Sequence, residues 1–325
     1  MTGRICTINT FNFSRNPTVY TLEAVGPGGT STANVILEVQ RAISLAITSP
    51  APSITVNVPE ISIKGFFDNP TGNETGIIAD GIPAQLHGNE FFINSYQLDE
   101  GENTITVTAL DTAGNSAQEV LTVFLDTSIF SDWLSLHVNP VAGLAPLKTT
   151  MRVENHLSFT PTGTPLIEST GPDIFEISWI DATEMELLFS TPGIYTLYYT
   201  IEDPAGNPIQ QEVNVNVLDR AEIDALLQSK WAGMKNAMIE GDIEKAVSYF
   251  VEDRKDIFRE IYTQAQSTLA EIAMGMQDIE LVYLRNDTAK YRLRKDIIFK
   301  DEAVTVTFDV YFQRGRDGIW RIRDY

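Results

Sequence analysis

The feature that most constrains the fold is a strand–turn–strand pattern that occurs three times in the first two thirds of the chain. Each copy has an alternating run of apolar and polar residues, a turn that contains Gly29, Gly114 or Gly206, and a second alternating run. The three glycines are spaced 85 and 92 residues apart. Glycine adopts the positive φ angles of tight hairpin turns without steric cost. A repeat of this length built from short strands predicts a series of β-sandwich modules.

The turns of the second and third copies share the sequence Asp-x-x-Gly-Asn. An aspartate at the first position of such a turn accepts hydrogen bonds from nearby backbone amides. We therefore predict a structural role for the turn residues, which are Gly29, Asp111, Gly114, Asn115, Asp203, Gly206 and Asn207.

Carboxylates also cluster near the start of the second hairpin, where Asp99, Glu100 and Glu102 precede Asp111. Calcium takes roughly six to eight oxygen ligands, and the chain has no contiguous ligand loop of the EF-hand type. We expect no cofactor and no metal, with calcium near Asp99, Glu102 and Asp111 as the alternative.

The acidic charge of the chain is concentrated in its first two thirds. The formal net charge is −21; residues 1–219 hold 25 acidic and 6 basic residues, whereas residues 220–325 hold 19 and 17. The pattern changes at the same place, from short alternating runs to long runs of helical period. A domain boundary is therefore predicted at Asp219–Arg220, and the negative charge disfavours nucleic acid as a partner.

We divide the chain into a partial sandwich module (1–40), two sandwich modules (41–126 and 127–219) and a C-terminal domain (220–325). The first module holds only the closing hairpin, and half a sandwich leaves strand edges uncovered. This favours a chain that is part of a longer protein; the alternative is that residues 1–40 add strands to the next module.

The single Cys6 excludes an internal disulfide, and the sequence has no apolar run long enough to span a membrane.

Two known module types resemble the sandwich region. Residues 43–126 resemble domain B of glucodextranase, a bacterial immunoglobulin-like module, through the stretches that begin at Gly81, Leu98 and Asp111. Residues 134–219 resemble a polycystic-kidney-disease-type module, which opens at Leu134 and ends on Asp203-Pro-Ala-Gly-Asn. The resemblance implies non-catalytic spacer or binding modules, and it leads us to expect a secreted or cell-surface bacterial protein.

The C-terminal domain begins with helices and ends with strands. Apolar residues at helical spacing run from Ile223 to Met238 and stop at Gly241, which predicts a first helix. Asp242 is a candidate N-cap for a second helix, and Asp253 can start a third. The third helix is predicted to place inward the side chains of Ile257, Phe258, Ile261, Tyr262, Leu269, Ile272, Ala273 and Met276. Strands are predicted at 279–285, 289–298, 303–313 and 319–325. Helices followed by hairpin-connected strands predict an α+β layer in which helices cover one face of a curved sheet.

That order resembles the nuclear transport factor 2-like superfamily of SnoaL-like cone-shaped α+β domains. The residues that carry the resemblance are Lys230–Ala246, with a Gly241-Asp242 break between two helices, and the closing segment Arg316–Tyr325. The superfamily includes isomerases, cyclases and dehydratases, and also many pocketed binding modules, so the resemblance implies a fold and not a reaction.

Catalytic signals are missing from the sequence. The histidines, His87, His137 and His156, all lie in the sandwich region, although imidazole is the usual acid–base group near neutral pH. In strand 303–313 the set Val304, Val306, Phe308, Val310 and Phe312 is predicted to face inward, and Asp309 to face outward as an ion-pair partner. The chain has no nucleophile-elbow, zinc-protease, P-loop or dinucleotide motif. We therefore expect no enzymatic activity.

Two groups of residues are candidates for binding. The aromatic candidates for a ligand pocket, with core packing as the alternative, are Trp231, Tyr249, Phe258, Tyr262 and Tyr291. The second group is a candidate basic face that binds a partner, and its members are Lys290, Arg292, Arg294, Arg321 and Arg323. The alternative is a solvated face whose cations pair with Asp296, Asp301 and Asp309.

Three functions follow from these observations. The first is a non-enzymatic modular protein in which spacer modules present a C-terminal domain that binds a ligand or a protein at the cell surface. The second is a carbohydrate-binding accessory protein, which needs an exposed aromatic platform among Phe66, Phe67, Phe91, Phe92 and Tyr96. The third is a cone-fold isomerase or dehydratase, which needs a polar group buried between helix 222–240 and the last strands.

Overall fold

The structure is a computed structural model that describes residues 18–27, 29–37, 42–128, 132–161, 163–299 and 302–325. The first predicted module lies partly outside these residues. Within them, β1 (Thr18–Gly26) and β2 (Gly29–Leu37) form an antiparallel hairpin. Gly29 has a φ of 115°, as the turn requires. In the described part of the chain this hairpin is a sheet of its own.

The second module is a β-sandwich of two sheets. Its strands are β3 (Ser44–Ser49), β4 (Ile54–Val56), β5 (Glu60–Asp68), β6 (Thr75–Ala79), β7 (Ile82–Pro83), β8 (Gln85–His87), β9 (Glu90–Gln97), β10 (Gly101–Asp111) and β11 (Ser116–Leu125). One sheet has the order β3–β5–β9–β8, and the other has the order β4–β11–β10–β6–β7. Alternate residues of β10 point into the core, where Ile105, Val107 and Ala109 are fully buried.

The third module is also a β-sandwich with its own core. Its strands are β12 (Trp133–Asn139), β13 (Ala142–Leu144), β14 (Leu147–His156), β15 (Leu166–Thr170), β16 (Glu176–Trp179), β17 (Glu184–Phe189), β18 (Gly193–Glu202) and β19 (Pro208–Leu218). The sheet β12–β14–β17–β16 packs on β15–β18–β19–β13, and Met185, Leu187 and Val215 are fully buried between them. These two modules confirm the prediction of β-sandwiches in tandem.

The C-terminal domain has four α-helices followed by four strands. They are α1 (Arg220–Glu240), α2 (Ile243–Ser248), α3 (Lys255–Gln264), α4 (Leu269–Gly275), β20 (Ile279–Arg285), β21 (Thr288–Phe299), β22 (Glu302–Arg314) and β23 (Trp320–Asp324). Asp219 caps α1 by accepting from the amides of Ala221 and Glu222, and Gly241 ends it with a φ of 73°. Asp242 caps α2, as predicted.

The third predicted helix is wrong in its length. The chain breaks between α3 and α4, and the two pieces point different side chains inward. Ile257, Ile261 and Ile272 are 45–48% exposed, whereas Phe258, Tyr262, Leu269 and Ala273 join the core as predicted. Ile257 and Ile261 lie next to the buried Phe258 and Tyr262 on α3, and Ile272 lies next to the buried Ala273 on α4, so the predicted inward face was one residue too wide.

The inward face of β22 is also shorter than predicted. Val310 and Phe312 are buried against the helices, but Val304 is 38% and Phe308 51% exposed. The first half of this strand therefore extends beyond the helices that cover the second half.

The sheet of the third module continues into the C-terminal domain. β13 pairs with β19 and, through Gly143 and Arg285, with β20, so one sheet of eight strands runs from β15 to β23. Asn286 reinforces this joint, because its amide donates to the carbonyl of Ala142 at 2.9 Å and its Oδ1 accepts from the amide of Val141 at 3.0 Å. The two units are thus joined by a shared sheet.

The second module packs against the third. Asn94 and Asn214 exchange hydrogen bonds, with Asn94 Nδ2 2.7 Å from the Asn214 carbonyl and Asn94 Oδ1 3.0 Å from the Asn214 amide. Lys64 pairs with Glu212 at 2.8 Å. These bonds attach β5 and β9 to the face of β19.

The junction between the second module and the C-terminal domain is built on buried charge. Glu74 forms an ion pair with Lys230 of α1; both side chains are 11% exposed, and Glu74 Oε1 accepts from the amide of Trp320 at 2.8 Å. Arg314 is 8% exposed; it donates to the carbonyl of Ala84 at 2.8 Å and pairs with Asp287 at 2.6 Å. Buried charges are tolerated only when they are paired, so this junction holds one relative position of the two units.

Gly76 provides the first test of this junction. A Cβ at position 76 would overlap the carbonyl oxygen of Asp317, so Gly76→Ala must push the second module away from the C-terminal domain. We expect the free energy of unfolding to fall by about 2 kcal/mol or more. Gly275→Ala is the matched control, because no atom lies within 4 Å of its new Cβ. Equal stability of the two variants in urea unfolding would contradict the close contact.

The Glu74–Lys230 pair provides the second test. Lys230→Met leaves a buried carboxylate without its cation, and we expect a loss of about 3 kcal/mol. Adding Glu74→Gln, which keeps an oxygen for the Trp320 amide, should recover most of that loss. Lys245→Met, which breaks the exposed Glu240–Lys245 pair, should cost under about 1 kcal/mol. A double variant no more stable than Lys230→Met would contradict this account.

Candidate functional site

The C-terminal domain contains an open cleft of about 550 Å³ between helices α1 and α4 and the inner face of the sheet. Its lining is largely apolar, and Glu271 and Tyr325 are its ionisable members. The lining residues, which define the cleft, are Trp231, Glu271, Ile272, Gly275, Met276, Leu293, Phe308, Val310 and Tyr325. A volume of this size is in the range of small-molecule sites, roughly 300–1,000 Å³.

One wall of the cleft is fixed by packed aromatic rings. The ring of Tyr325 meets Trp231 edge-on, with centroids 5.2 Å apart, and stacks on Phe258 at 5.4 Å. Trp231 is oriented by its indole nitrogen, which donates to the carbonyl of Gln277 at 3.2 Å. Because both rings are held by contacts inside the domain, this wall is formed in advance of any ligand.

Two tyrosine hydroxyls meet behind this wall. The hydroxyl oxygens of Tyr262 and Tyr325 lie 2.8 Å apart, and Tyr262 also donates to the sulfur of Met234 at 3.5 Å. Burial raises the pKa of Tyr325 to about 12, with the hydrogen bond between its hydroxyl and that of Tyr262 opposing that rise. Burial, and then the charge and hydrogen bond of Tyr325, raises the pKa of Tyr262 well above its ordinary value. Both hydroxyls are therefore neutral at physiological pH.

Of the five predicted pocket residues, the structure places only Trp231 on the cleft. Phe258 and Tyr262 are buried in the core, and the half-buried Tyr249 lies over Gly233 of α1. Tyr291 is also buried and donates to Asp224 at 2.9 Å; burial, followed by that hydrogen bond, raises the pKa of its hydroxyl. The prediction was based on aromatic residues at helical and strand spacing, which does not distinguish a core ring from a lining ring.

Sequence reasoning missed most of the lining. The sequence pattern predicts Phe308 as part of the inward face of a strand, Tyr325 as part of the closing segment, and Ile272 as a core residue. The sequence offered one weak signal for the lining: an apolar residue, such as Phe308, in the part of a strand that extends past the end of the helices. Only the packing shows that nothing covers it.

The five predicted cations lie on the outer face of the sheet, and most of them are paired there. Arg294 is exposed. The others bond to neighbouring strands or turns: Lys290 to Asp309 at 2.8 Å, Arg292 to Glu280 at 2.7 Å, Arg321 to Asp317 at 2.6 Å, and Arg323 to Gln313. Asp309 thus lies where the outward-facing ion-pair partner was predicted; Asp301 and the side chain of Asp296 lie outside the described residues.

The Asp-x-x-Gly-Asn turns are closed by their own aspartates. Asp111 Oδ1 accepts from the amides of Ala113 and Asn115 at 2.9 and 2.8 Å, and Asp203 makes the equivalent bonds to Ala205 and Asn207. Burial opposes ionisation of Asp111, but hydrogen bonds from Asn115, Asn73 and Asn69 outweigh it and lower its pKa. Gly114 and Gly206 have φ of 87° and 85°.

The predicted calcium ligands are not brought together. Asp99 and Glu102 lie at one end of β10 and Asp111 at the other, about 30 Å away at the usual rise per residue. Among the described residues, no group of three or more acidic, histidine or cysteine side chains is placed to hold a metal. The calcium site as predicted is therefore wrong in geometry.

The aromatic residues of the second module do not form a platform. Phe91 and Phe92 are 1% exposed, Phe67 packs against the core, and the hydroxyl of Tyr96 donates to Asp80 at 2.6 Å. Phe66, at 44% exposed, is the one ring of these five that faces solvent.

None of the helices in the described part of the chain combines the length and apolar character needed to cross a membrane.

Comparison with known proteins assigns one module. Residues 44–127 match the family model described as Glucodextranase, domain B. The predicted resemblance of residues 43–126 is thereby confirmed, and with it the immunoglobulin-like character of the tandem sandwiches. The match covers 84 of the 325 residues. No curated protein matches the chain.

Solved structures with similar folds are distant. Fibronectin(III)-like modules of Clostridium thermocellum CbhA are 10% identical, with a TM-score of 0.22, over 55% of this chain and 96% of theirs. A three-domain titin fragment is 12% identical, with a TM-score of 0.24, over 64% and 76%. Cadherin domains 1–4 of protocadherin gamma B7 are 12% identical, with a TM-score of 0.21, over 63% and 66%. Likenesses this low carry no argument about function. Residues 44–127 are similar to glucodextranase domain B, and the tandem modules are immunoglobulin-like sandwiches.

Proposed function

We propose that the protein is a non-enzymatic binding protein in which immunoglobulin-like modules support a C-terminal domain that takes a small apolar molecule. The observation that carries the proposal is the cleft, which opens to solvent and has a largely apolar lining. Removing apolar surface of the ligand from water would supply most of the binding free energy.

The chemistry of the cleft supports binding over catalysis. Acid–base catalysis needs a group that titrates near the working pH and points at the reacting atoms. Burial raises the pKa of Tyr325 to about 12, and the other ionisable lining residue, Glu271, is exposed. The cone-fold enzyme alternative needs a buried polar group, and the tyrosine pair that fills this position is neutral.

We further propose that residues 220–325 form a nuclear transport factor 2-like domain. Four helices precede four antiparallel strands, and both contribute to one core that includes Trp231, Phe250 and Phe312. A polycystic-kidney-disease-type identity for the third module is proposed on its closing hairpin and Asp203 turn.

Secretion or display at the bacterial surface, with a protein or glycan as partner, is proposed from the module types. Support comes from the match to glucodextranase domain B and from the acidic sandwich modules. No metal is proposed as a cofactor.

Phe308 provides the test of the cleft. The probe is N-phenyl-1-naphthylamine, a neutral apolar dye that becomes fluorescent when it leaves water. We expect saturable binding to one site, weakened about tenfold or more by Phe308→Ala because the ring supplies apolar contact area. Phe66→Ala, which removes a similarly exposed ring in the second module, should leave binding within about twofold. Equal loss in both variants, or no saturable binding, would reject the cleft as the site.

The tyrosine pair predicts a loss of stability in alkali. The folded state holds the pKa of Tyr262 and Tyr325 above the unfolded value of about 10, so their stabilisation is fully present below pH 10 and is lost as pH rises towards about 12. At pH 11.5 the loss should reach about 2 kcal/mol for each tyrosine. Tyr262→Phe should make the pH dependence of unfolding shallower, whereas Tyr283→Phe, at a 44% exposed residue, should not. Identical slopes in urea unfolding would contradict the buried pair.

A further inference from the structure

The third module exposes a group of large apolar side chains at one edge. This group, the edge patch, consists of residues within one seven-residue stretch: Ile174 (86% exposed), Ile177 (37%), Trp179 (46%) and Ile180 (59%). Single exposed apolar residues are common on proteins, but adjacent ones mark interaction sites. Tryptophan is also among the residues that dominate binding energy in interfaces.

The edge patch comprises Ile177 and Trp179 of β16 and the flanking Ile174 and Ile180, and β16 is paired on one side only among the described strands. β16 is the last strand of its sheet and pairs with β17 alone among the described strands. β15, the strand before it in the chain, is in turn the last strand of the opposite sheet. Within the part of the chain that the structure describes, the sandwich therefore ends here with its outermost strands unpaired on one side. An edge of this kind is the usual template for adding a strand from another chain.

The side chains of β16 face an incompletely covered core. Ile177 pairs with Leu187, and Trp179 pairs with Met185, so these two side chains share the inner face of the sheet. Leu187 and Met185 are fully buried, whereas Ile177 and Trp179 remain partly exposed. A strand added outside β16 would extend this apolar face and cover both residues.

The charge around the edge patch defines the partner. The segment 173–186 contains Asp173, Glu176, Asp181, Glu184 and Glu186 and has no lysine or arginine. Lys148 neutralises Glu186, but among the described residues neither Asp173 nor Glu176 takes part in an ion pair. A second copy of this chain would bring the same carboxylates to the edge, and like charges on paired strands repel.

We propose that the edge of β16 is a docking site for a cationic β-strand segment of another protein. The segment extends the sheet by pairing with the outer edge of β16. Its apolar side chains cover Ile177 and Trp179, and its lysine or arginine side chains lie against Asp173 and Glu176. This site is independent of the cleft, since it belongs to a different module.

The test uses the full chain and an eight-residue peptide of alternating valine and lysine, with a valine–glutamate peptide of the same length as the control probe. Isothermal titration calorimetry at low salt should detect the lysine peptide and not the glutamate peptide. Trp179→Ala should weaken binding about tenfold or more. Ile177→Ser should weaken binding as well, whereas Ile54→Ser, at an equally exposed isoleucine on the edge strand β4 of the second module, should not.

Charge reversal separates the electrostatic part of the proposal. Glu176→Lys should weaken the lysine peptide several-fold, and Glu119→Lys, at an exposed residue of the second module, should have little effect. Equal binding of the two peptides, an unchanged affinity in Trp179→Ala, or concentration-dependent self-association that Trp179→Ala abolishes would overturn the proposal. Thermal unfolding of each variant checks that the third module remains folded.

Discussion

The arrangement of the modules depends on charge that is buried where the second module meets the C-terminal domain. Lys230 and Arg314 each lie at this junction with a carboxylate partner, Glu74 and Asp287. The Glu74–Lys230 pair spans the junction, and both side chains are 11% exposed, so removing either partner leaves an uncompensated buried charge. Arg314 adds a hydrogen bond to the carbonyl of Ala84 across the same junction. The absence of a Cβ at Gly76 lets the two backbones come close enough to seal it.

Because of this junction, the sandwich modules do more than separate the C-terminal domain from the rest of the chain. Together with the sheet that runs from β15 to β23, it fixes the C-terminal domain to two sandwich modules at once. A domain held in this way presents its cleft in a constant direction relative to the modules. The edge of β16 belongs to the third module, whose other sheet continues into the domain that holds the cleft.

Sequence patterns predicted the local elements well because their causes are local. Asp219, Gly241 and Asp242 define helix ends through hydrogen bonds and backbone angles that involve only nearby residues. The four C-terminal strands were placed within one or two residues for the same reason. The third helix was predicted as one element, whereas a turn at residues 265–268 divides it into α3 and α4, and a single helical period does not reveal such a break.

The features of the candidate site likewise separate into those that nearby residues determine and those that depend on tertiary packing. Alternation and spacing in the sequence determined the sandwich modules, the Asp111 and Asp203 turns, and the outward position of Asp309, since each depends on residues a few positions apart. Which aromatic ring borders the cleft as well as the core, as Trp231 does, and which lies in the core alone, as Tyr291 does, was decided only when helices and sheet were packed together. The same holds for Glu74 and Lys230, which are 156 positions apart in the chain. Burial is a property of the whole fold, and only tertiary structure assigns it.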